Sequence, residues 1–355
     1  MVKIGVVGCG YWGPKHIRVC HELPEAQLTM VCDADERKLQ QVRIQYPYVE
    51  ATLNYNELVR NGVDAIIIAT PVNSHFKLAK EALLHDKHVM IEKPITSNSR
   101  EALELIELAE KRKLVLMAGH TYEYHPAVDF LREIIRNGDL GDIYSIDADR
   151  LNLGLYRPDV NVIWDLAPHD ISIILALINE KPVAVSARGT HHVDPSVYDM
   201  AYLEILFANG TMGTIHVSWL HPRKIRELTI VGSRKMAVYD DVSENEKIHI
   251  YDKGLAMPNN ANTIGASNGH YSGSNKFSAW PPNYRYGDVV IPFISNAEPL
   301  KLECSHFIKC VKDGLKPRSD GWAGLKVTNI LEAANKSLEN GGERVKLDLA
   351  SLAIV

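Results

Sequence analysis

The stretch from Val2 to Asp33 constrains the fold more than any other part of the chain. An apolar run, Ile4, Val6 and Val7, leads directly into Gly8-Cys9-Gly10-Tyr11-Trp12-Gly13, and a short helical pattern follows. A strand, a glycine turn and a helix start in that order suit a dinucleotide: Gly8 permits the tight turn, Gly10 lets a pyrophosphate approach bare backbone, and Gly13 lets the helix pack closely on the strand. Free N–H groups at the helix N-terminus would hold the phosphates. After a second apolar stretch (Leu28, Met30, Val31), Asp33 stands twenty residues beyond Gly13. There a carboxylate can accept hydrogen bonds from ribose hydroxyls. The competing reading is a glycine-rich turn that binds nothing, and the position of Asp33 weighs against it.

At 355 residues, with 46% hydrophobic and 23% charged content, the chain predicts a soluble globular protein of about two domains. A net charge of -5 and the lack of any Lys/Arg-rich run argue against nucleic acid as a partner. No apolar run reaches the ~20 residues of a membrane span, and no leader pattern precedes the first strand, so a cytoplasmic protein without a membrane partner is expected. The five cysteines (Cys9, Cys20, Cys32, Cys304, Cys310) are odd in number and lack CxxC spacing. They read as reduced packing residues, with no metal site.

From Met1 to about residue 120, strands and helices alternate, the pattern of a parallel sheet covered on both faces. Strands are expected at Lys3–Val7, Leu28–Cys32, Ala65–Ile68, His88–Ile91 and Val115–Ala118, with Ser97 or Ser99 capping the helix that follows Pro94. Ligands of such sheets bind at the carboxyl ends of the strands. Two of those ends carry chemistry: Thr70-Pro71-Val72-Asn73-Ser74-His75, and Glu92-Lys93-Pro94. A partly desolvated Lys93 could hydrogen-bond a substrate oxygen; a solvated lysine paired with Glu92 is the plainer alternative.

Beyond residue 120 the periodicity changes. A helix is expected over Pro126–Arg136, then strands at Tyr144–Leu153, Val183–His191, Ala201–Phe207, Thr211–Trp219, Glu227–Val231 and Lys247–Tyr251, with a hairpin turn at Asn209-Gly210. Residues 121–355 thus read as an α+β domain on one large, mostly antiparallel sheet. One helix, Trp164 to about Asn179, interrupts the strands and places Asp165 and His169 at i and i+4, on one face. An acid beside an imidazole suits proton transfer, although a cap or surface pair has the same spacing; Asp170 is an alternative orienting acid. Gly254–Asp288, rich in Asn, Gly, Ser and Pro, reads as a lid, a subunit-contact loop or a flexible insertion. Helices close the chain at Pro299–Lys312 and Gly324–Asn340, the last a candidate to pack back on the first domain.

GCGYWG, Asp33, TPVNSH, EKP and Asp165-x-x-x-His169, in that order, resemble the glucose-fructose oxidoreductase / inositol dehydrogenase / rhizopine-catabolism (Gfo/Idh/MocA) family over essentially the whole chain. The resemblance implies a Rossmann domain, a second domain with an open-faced sheet that pairs subunits into homodimers or homotetramers, and NAD(P)-dependent oxidation or reduction of a sugar or cyclitol. It assigns Lys93, Asp165 and His169 as catalytic. The cofactor set is then Gly8, Gly10, Tyr11, Trp12, Gly13, Asp33, Arg37, Thr70, Pro71, Asn73, His75, Glu92 and Lys93. The substrate set is Lys93, Arg150, Asn152, Arg157, Asp165 and His169. Asp33 favours NAD over NADP, because its charge would face the extra phosphate.

More narrowly, Leu151-Asn152-Leu153-Gly154, the run Asp159–Asp170 and Ser319–Leu325 look like the branch acting on nucleotide-linked sugars, which includes 3-dehydrogenases of UDP-N-acetylglucosamine-type substrates. Arg150, Arg157 and Arg223 are candidate diphosphate contacts, or plain surface charges. A free sugar or inositol is the alternative substrate, and a non-catalytic dinucleotide-sensing protein the alternative function.

Overall fold

The computed structural model describes residues 1–154, 156–157, 160–256 and 283–347. Six strands form the first sheet: β1 (Val2–Val7), β2 (Ala26–Cys32), β3 (Glu50–Thr52), β4 (Ala65–Ile68), β5 (His88–Glu92) and β6 (Leu116–Gly119). All pair in parallel, in the order β3-β2-β1-β4-β5-β6 of a doubly wound dinucleotide-binding fold. Helices α1 (Gly13–Glu22), α2 (Glu36–Gln45), α3 (Tyr55–Arg60), α4 (Val72–Leu84) and α5 (Ser99–Arg112) connect them. Every residue of β4 is buried, as expected of a strand covered on both faces. Helix α5 is capped by Asn98, whose side chain accepts from Glu101 N, and not by Ser97 or Ser99. Ser97 instead donates to the Glu101 carboxylate.

The second sheet has nine strands in the order β14-β13-β12-β11-β7-β10-β9-β8-β15. These are β7 (Ile143–Leu151), β8 (Pro182–Thr190), β9 (Met200–Phe207), β10 (Met212–Ser218), β11 (Ile225–Gly232), β12 (Met236–Asp240), β13 (Ile248–Ala256), β14 (Asn283–Val290) and β15 (Val345–Lys346). Only β7 and β10 pair in parallel. One face is apolar and helix-covered: on β9, Ala201, Leu203, Ile205 and Phe207 point inward while Tyr202 and Glu204 face out. Helices α6 (Pro126–Arg136) and α7 (Val162–Leu177) fill the covered side with Leu131, Ile171 and Ile174.

Two expectations change. The stretch read as structureless from Gly254 contains the paired ends of β13 and β14; Tyr284 and Tyr286 lie on β14, their strand character masked by the surrounding Gly and Asn. Its middle, with Tyr271, Phe277 and Trp280, lies outside the described residues, as does Asp159. Helix α8 (Pro299–Asp313), placed by sequence order with the second sheet, completes the first core, burying Leu300, Cys304, Phe307 and Ile308 beside Ile4, Ile17 and Val19. Sequence order cannot reveal this, because an amphipathic helix carries no address for the face it will cover. Helix α9 (Gly321–Glu339) spans both units. Gly321 and Gly324 sit against Ile106, Leu116, Ala118 and Ile95, and Ser337 Oγ accepts from Ala187 N of β8 at 2.8 Å.

Candidate active site

The glycine turn sits at the topological switch between β1 and β4. Gly8 has φ +95°, and a Cβ there would lie 2.5 Å from the Ala69 carbonyl oxygen. A Cβ on Gly13 would lie 1.9 Å from the Gly8 carbonyl oxygen, so the helix can start only with glycine at this point. Around Gly10 a Cβ would meet nothing within 4 Å. Open space over Gly10, beside the start of α1, is the cradle a diphosphate needs, and the residues present fit a dinucleotide.

Asp33, buried at the end of β2, accepts from Cys9 N and from Asp35 N at 2.8 Å, so it braces the turn. Lys38 Nζ lies 3.8 Å from its carboxylate. Arg37 is mostly exposed and forks onto Asp35 at 2.9 and 3.1 Å, so its guanidinium is already engaged. Beyond β4, Ser74 donates to Thr70 Oγ1 at 2.7 Å. The buried His75 reaches the carbonyls of Pro94 (3.0 Å) and Thr70 (2.8 Å), joining the two strand ends. His75 therefore shapes the loops from behind; Pro71 and Asn73 lie exposed at the start of α4.

At the end of β5, Glu92 is buried with its Oε1 2.7 Å from His16 Nε2, and its other oxygen accepts from Lys93 N. Burial works against its charge, but His16 and Lys93 hold its carboxyl below the usual range. Lys93, half-buried, donates from Nζ to the main-chain carbonyl of Asp165 at 2.7 Å. Desolvation pulls its ammonium below the ordinary value, against the opposing pull of Asp165 and Glu92.

The Asp165 carbonyl is the one that α-helical geometry offers to the N–H of residue 169. The Lys93 ammonium and the His169 imidazole thus converge on one turn of α7. Pro168 within that turn has no N–H to give the preceding carbonyl ladder. His169 Nδ1 is buried with no hydrogen-bond partner among the described residues; the ring packs edge-on against Tyr122, centroids 4.9 Å apart. Burial, followed by the charges of Lys93 and Arg150, depresses its pKa well below 6.5.

The expected Asp165–His169 partnership is not what forms. The Asp165 carboxylate accepts from Trp219 Nε1 at 3.0 Å and from Arg157 at 3.4 Å. Helical spacing put both side chains on one face, but the indole at the end of β10 offers Asp165 a fixed donor across the fold. Asp170 is likewise taken: it receives two 2.8 Å hydrogen bonds from the buried Arg150, whose guanidinium also stacks on Tyr122 at 4.6 Å. Arg150 is thereby a positioning residue for the His169 turn rather than an open phosphate contact. Asn152 follows β7, its backbone N–H donating to Ser218, and Arg223 lies exposed.

A cavity of about 480 Å³, within the range of small-molecule pockets, lies between Trp12 of the glycine turn and His169 of α7. Trp12, Lys15 and Arg18 form one wall; Thr121, Tyr122, His125, His169 and Asp241 form the other. Several of these were missed in the sequence. Thr121 and Tyr122 follow β6, a third loaded strand end that the carboxyl-end rule could have found. Asp241 after β12 gave no such signal; it holds Arg226 at 3.3 Å and Tyr239 at 3.0 Å. His120 is fully buried, neither of its ring nitrogens has a partner among the described residues, and burial holds it neutral with a pKa of about 4.

The family model described as "Oxidoreductase family, NAD-binding Rossmann fold" matches residues 2–120, and that of the GFO/IDH/MocA C-terminal domain matches residues 128–238. The UDP-N-acetylglucosamine 3-dehydrogenase of Acidithiobacillus ferrooxidans is 32% identical over 261 residues, 71% of this chain and 78% of the relative. The chain belongs to the Gfo/Idh/MocA oxidoreductase family. Its first domain is an NAD-binding Rossmann domain, and the protein is an oxidoreductase. The myo-inositol 2-dehydrogenase of Thermotoga maritima is 25% identical over 353 residues, covering 95% of this chain and 96% of the relative. The solved structure of the Acidithiobacillus enzyme superposes with a TM-score of 0.76 at 26% identity, over 96% of this chain and 98% of that one. Among the described residues no helix is long and apolar enough to cross a membrane.

Proposed function

We propose that this oxidoreductase is an NAD-dependent dehydrogenase acting on a secondary alcohol of a sugar. C3 of a nucleotide sugar such as UDP-N-acetylglucosamine or its uronic acid is the favoured position. The observation that carries the reading is the anchoring of Lys93 to the turn of α7 that bears His169, which itself lines a cavity together with the glycine-turn residue Trp12. Gly8, Gly10 and Gly13 would hold the diphosphate of NAD and Asp33 its ribose, and the bound cofactor would supply the hydride acceptor or donor. His169, neutral near pH 7, takes the hydroxyl proton as general base. Lys93 hydrogen-bonds the same oxygen and stabilises the negative charge that grows on it. Asp165 presents the carbonyl that locates Lys93, while Arg157 and Asn152 border the substrate.

Similarity to the UDP-N-acetylglucosamine enzyme supports the nucleotide sugar. A free cyclitol is the second reading, favoured by the inositol dehydrogenase relative that spans nearly the whole chain. NADH formation measured across UDP-sugars, free sugars and inositols tests both. Silence on every substrate despite tight NADH binding would instead mark a dinucleotide-sensing protein. The outward face of the second sheet, with Tyr202 and Met212 exposed, is proposed as the surface that forms a homodimer or homotetramer; sedimentation checks it.

A further inference from the structure

The cations around the cavity are not alike. Arg18 is held by Glu22 and Glu298, Arg226 by Asp241, and the buried Arg150 by Asp170. Lys15 differs. Its ammonium sits 3.6 Å from the Tyr11 ring centroid and 4.1 Å from that of Trp12, and among the described residues no carboxylate pairs with it. The two rings hold the amine at the cavity wall without neutralising its charge. Its pull on the phenol is strong enough to lower the Tyr11 pKa.

Gly13 faces back toward the Gly8 carbonyl, and two residues further along an α-helix the side chain has turned by about 200°. The Lys15 side chain therefore leaves α1 on a different face from Gly13, and its amine comes to rest over Tyr11 and Trp12 at the end of the glycine turn. It lines the same cavity as Trp12 and, from the second unit, Tyr122 and His169, where the proposed base would meet a substrate.

We propose that Lys15 is a specificity-determining residue that pairs with an anionic group of the sugar substrate, a carboxylate or a phosphate, and so selects acidic over neutral sugars. A charge left unpaired in a partly water-excluded cavity attracts an anion far more strongly than the same charge in bulk water. This rests on the sugar dehydrogenase reading above, and refines its substrate class.

The test uses the whole protein and its Lys15→Met and Lys15→Arg variants. kcat/KM is measured for UDP-N-acetylglucosamine, its 6-uronate and a neutral free sugar, and the Kd of NADH by fluorescence. Lys15→Met is expected to lower the preference for acidic over neutral sugar by about 10-fold, the scale of one charge-assisted contact, with Lys15→Arg restoring much of it. A loss confined to the uronate assigns the sugar carboxylate; an equal loss on both nucleotide sugars assigns the diphosphate. An unchanged preference overturns the proposal, and so does a tenfold weaker NADH Kd without a change in preference, which would give Lys15 to the cofactor. Should the wild type turn over no sugar, the dehydrogenase reading fails. Calorimetric titration of UDP and of glucuronate into NADH-loaded protein then decides Lys15 separately: binding lost in Lys15→Met upholds anion recognition, while equal or absent binding overturns it.

Discussion

Lys93 Nζ and the main-chain carbonyl of Asp165, 2.7 Å apart, form the hydrogen bond that ties the end of the parallel sheet to the helix bearing His169. It crosses from one structural unit to the other at the point where the proposed chemistry takes place. An amine anchored to the same helical turn as an imidazole can share a single substrate oxygen with it.

Lys93→Met and His169→Ala should each lower kcat by roughly 10²-fold or more, the usual scale of acid–base assistance. Because both are proposed to act on one oxygen, the double variant should lose much less than the product of the two single losses. Near-wild-type turnover in both single variants, with intact circular dichroism, would reject the site.

The pH profile follows from burial. His169 is depressed well below 6.5 and Lys93 below 10.5, so the acid limb of kcat/KM should fall below pH 6.5 and the basic limb below pH 10.5. His169→Ala should abolish the acid limb. The same depression makes the folded state bind fewer protons than the unfolded one, so His169 contributes a loss of stability that grows as pH falls below 6.5. A stability curve that is flat through that window, or unchanged by His169→Ala, would contradict the buried neutral imidazole.

Asp33 should give NADH a preference over NADPH of at least ~10-fold, or ~1.4 kcal/mol. Asp33→Asn removes the repulsion of the extra phosphate and should narrow the gap measured by fluorescence titration. Since Asp33 also accepts from Cys9 N and Asp35 N, NADH binding should weaken as well. Equal binding of the two dinucleotides by the wild type would defeat this expectation.

Asp170→Asn leaves the buried Arg150 without its counter-ion and should cost about 3–5 kcal/mol in urea unfolding. Replacing both partners, Arg150→Met with Asp170→Leu, should recover part of that loss, because no uncompensated charge remains buried. A single variant as stable as the wild type would show that the pair does not support the His169 turn.

Much of the site was legible because it is local. GCGYWG must be glycine at Gly8 and Gly13, where a Cβ would strike backbone 2.5 and 1.9 Å away, and the strand ends carrying Thr70 and Lys93 follow from apolar runs of the right length. His169 was found by helical spacing. The partner assigned to it was not: spacing tells which side chains share a face, but it cannot say that Trp219 will claim Asp165 or that Arg150 will claim Asp170.

The order of glycines, apolar runs and acids along the chain, read without coordinates, determined the dinucleotide fold, the family and the short set of chemically loaded residues, because those depend on contacts between near neighbours. Only the tertiary structure decided that α8 closes the first core, that Tyr122, Asp241 and Lys15 line one cavity, and which charges are already paired. The first two outcomes join residues more than a hundred positions apart and the charge pairs meet across different elements, and such a pairing is selected by the packing of the whole fold, which no local pattern records.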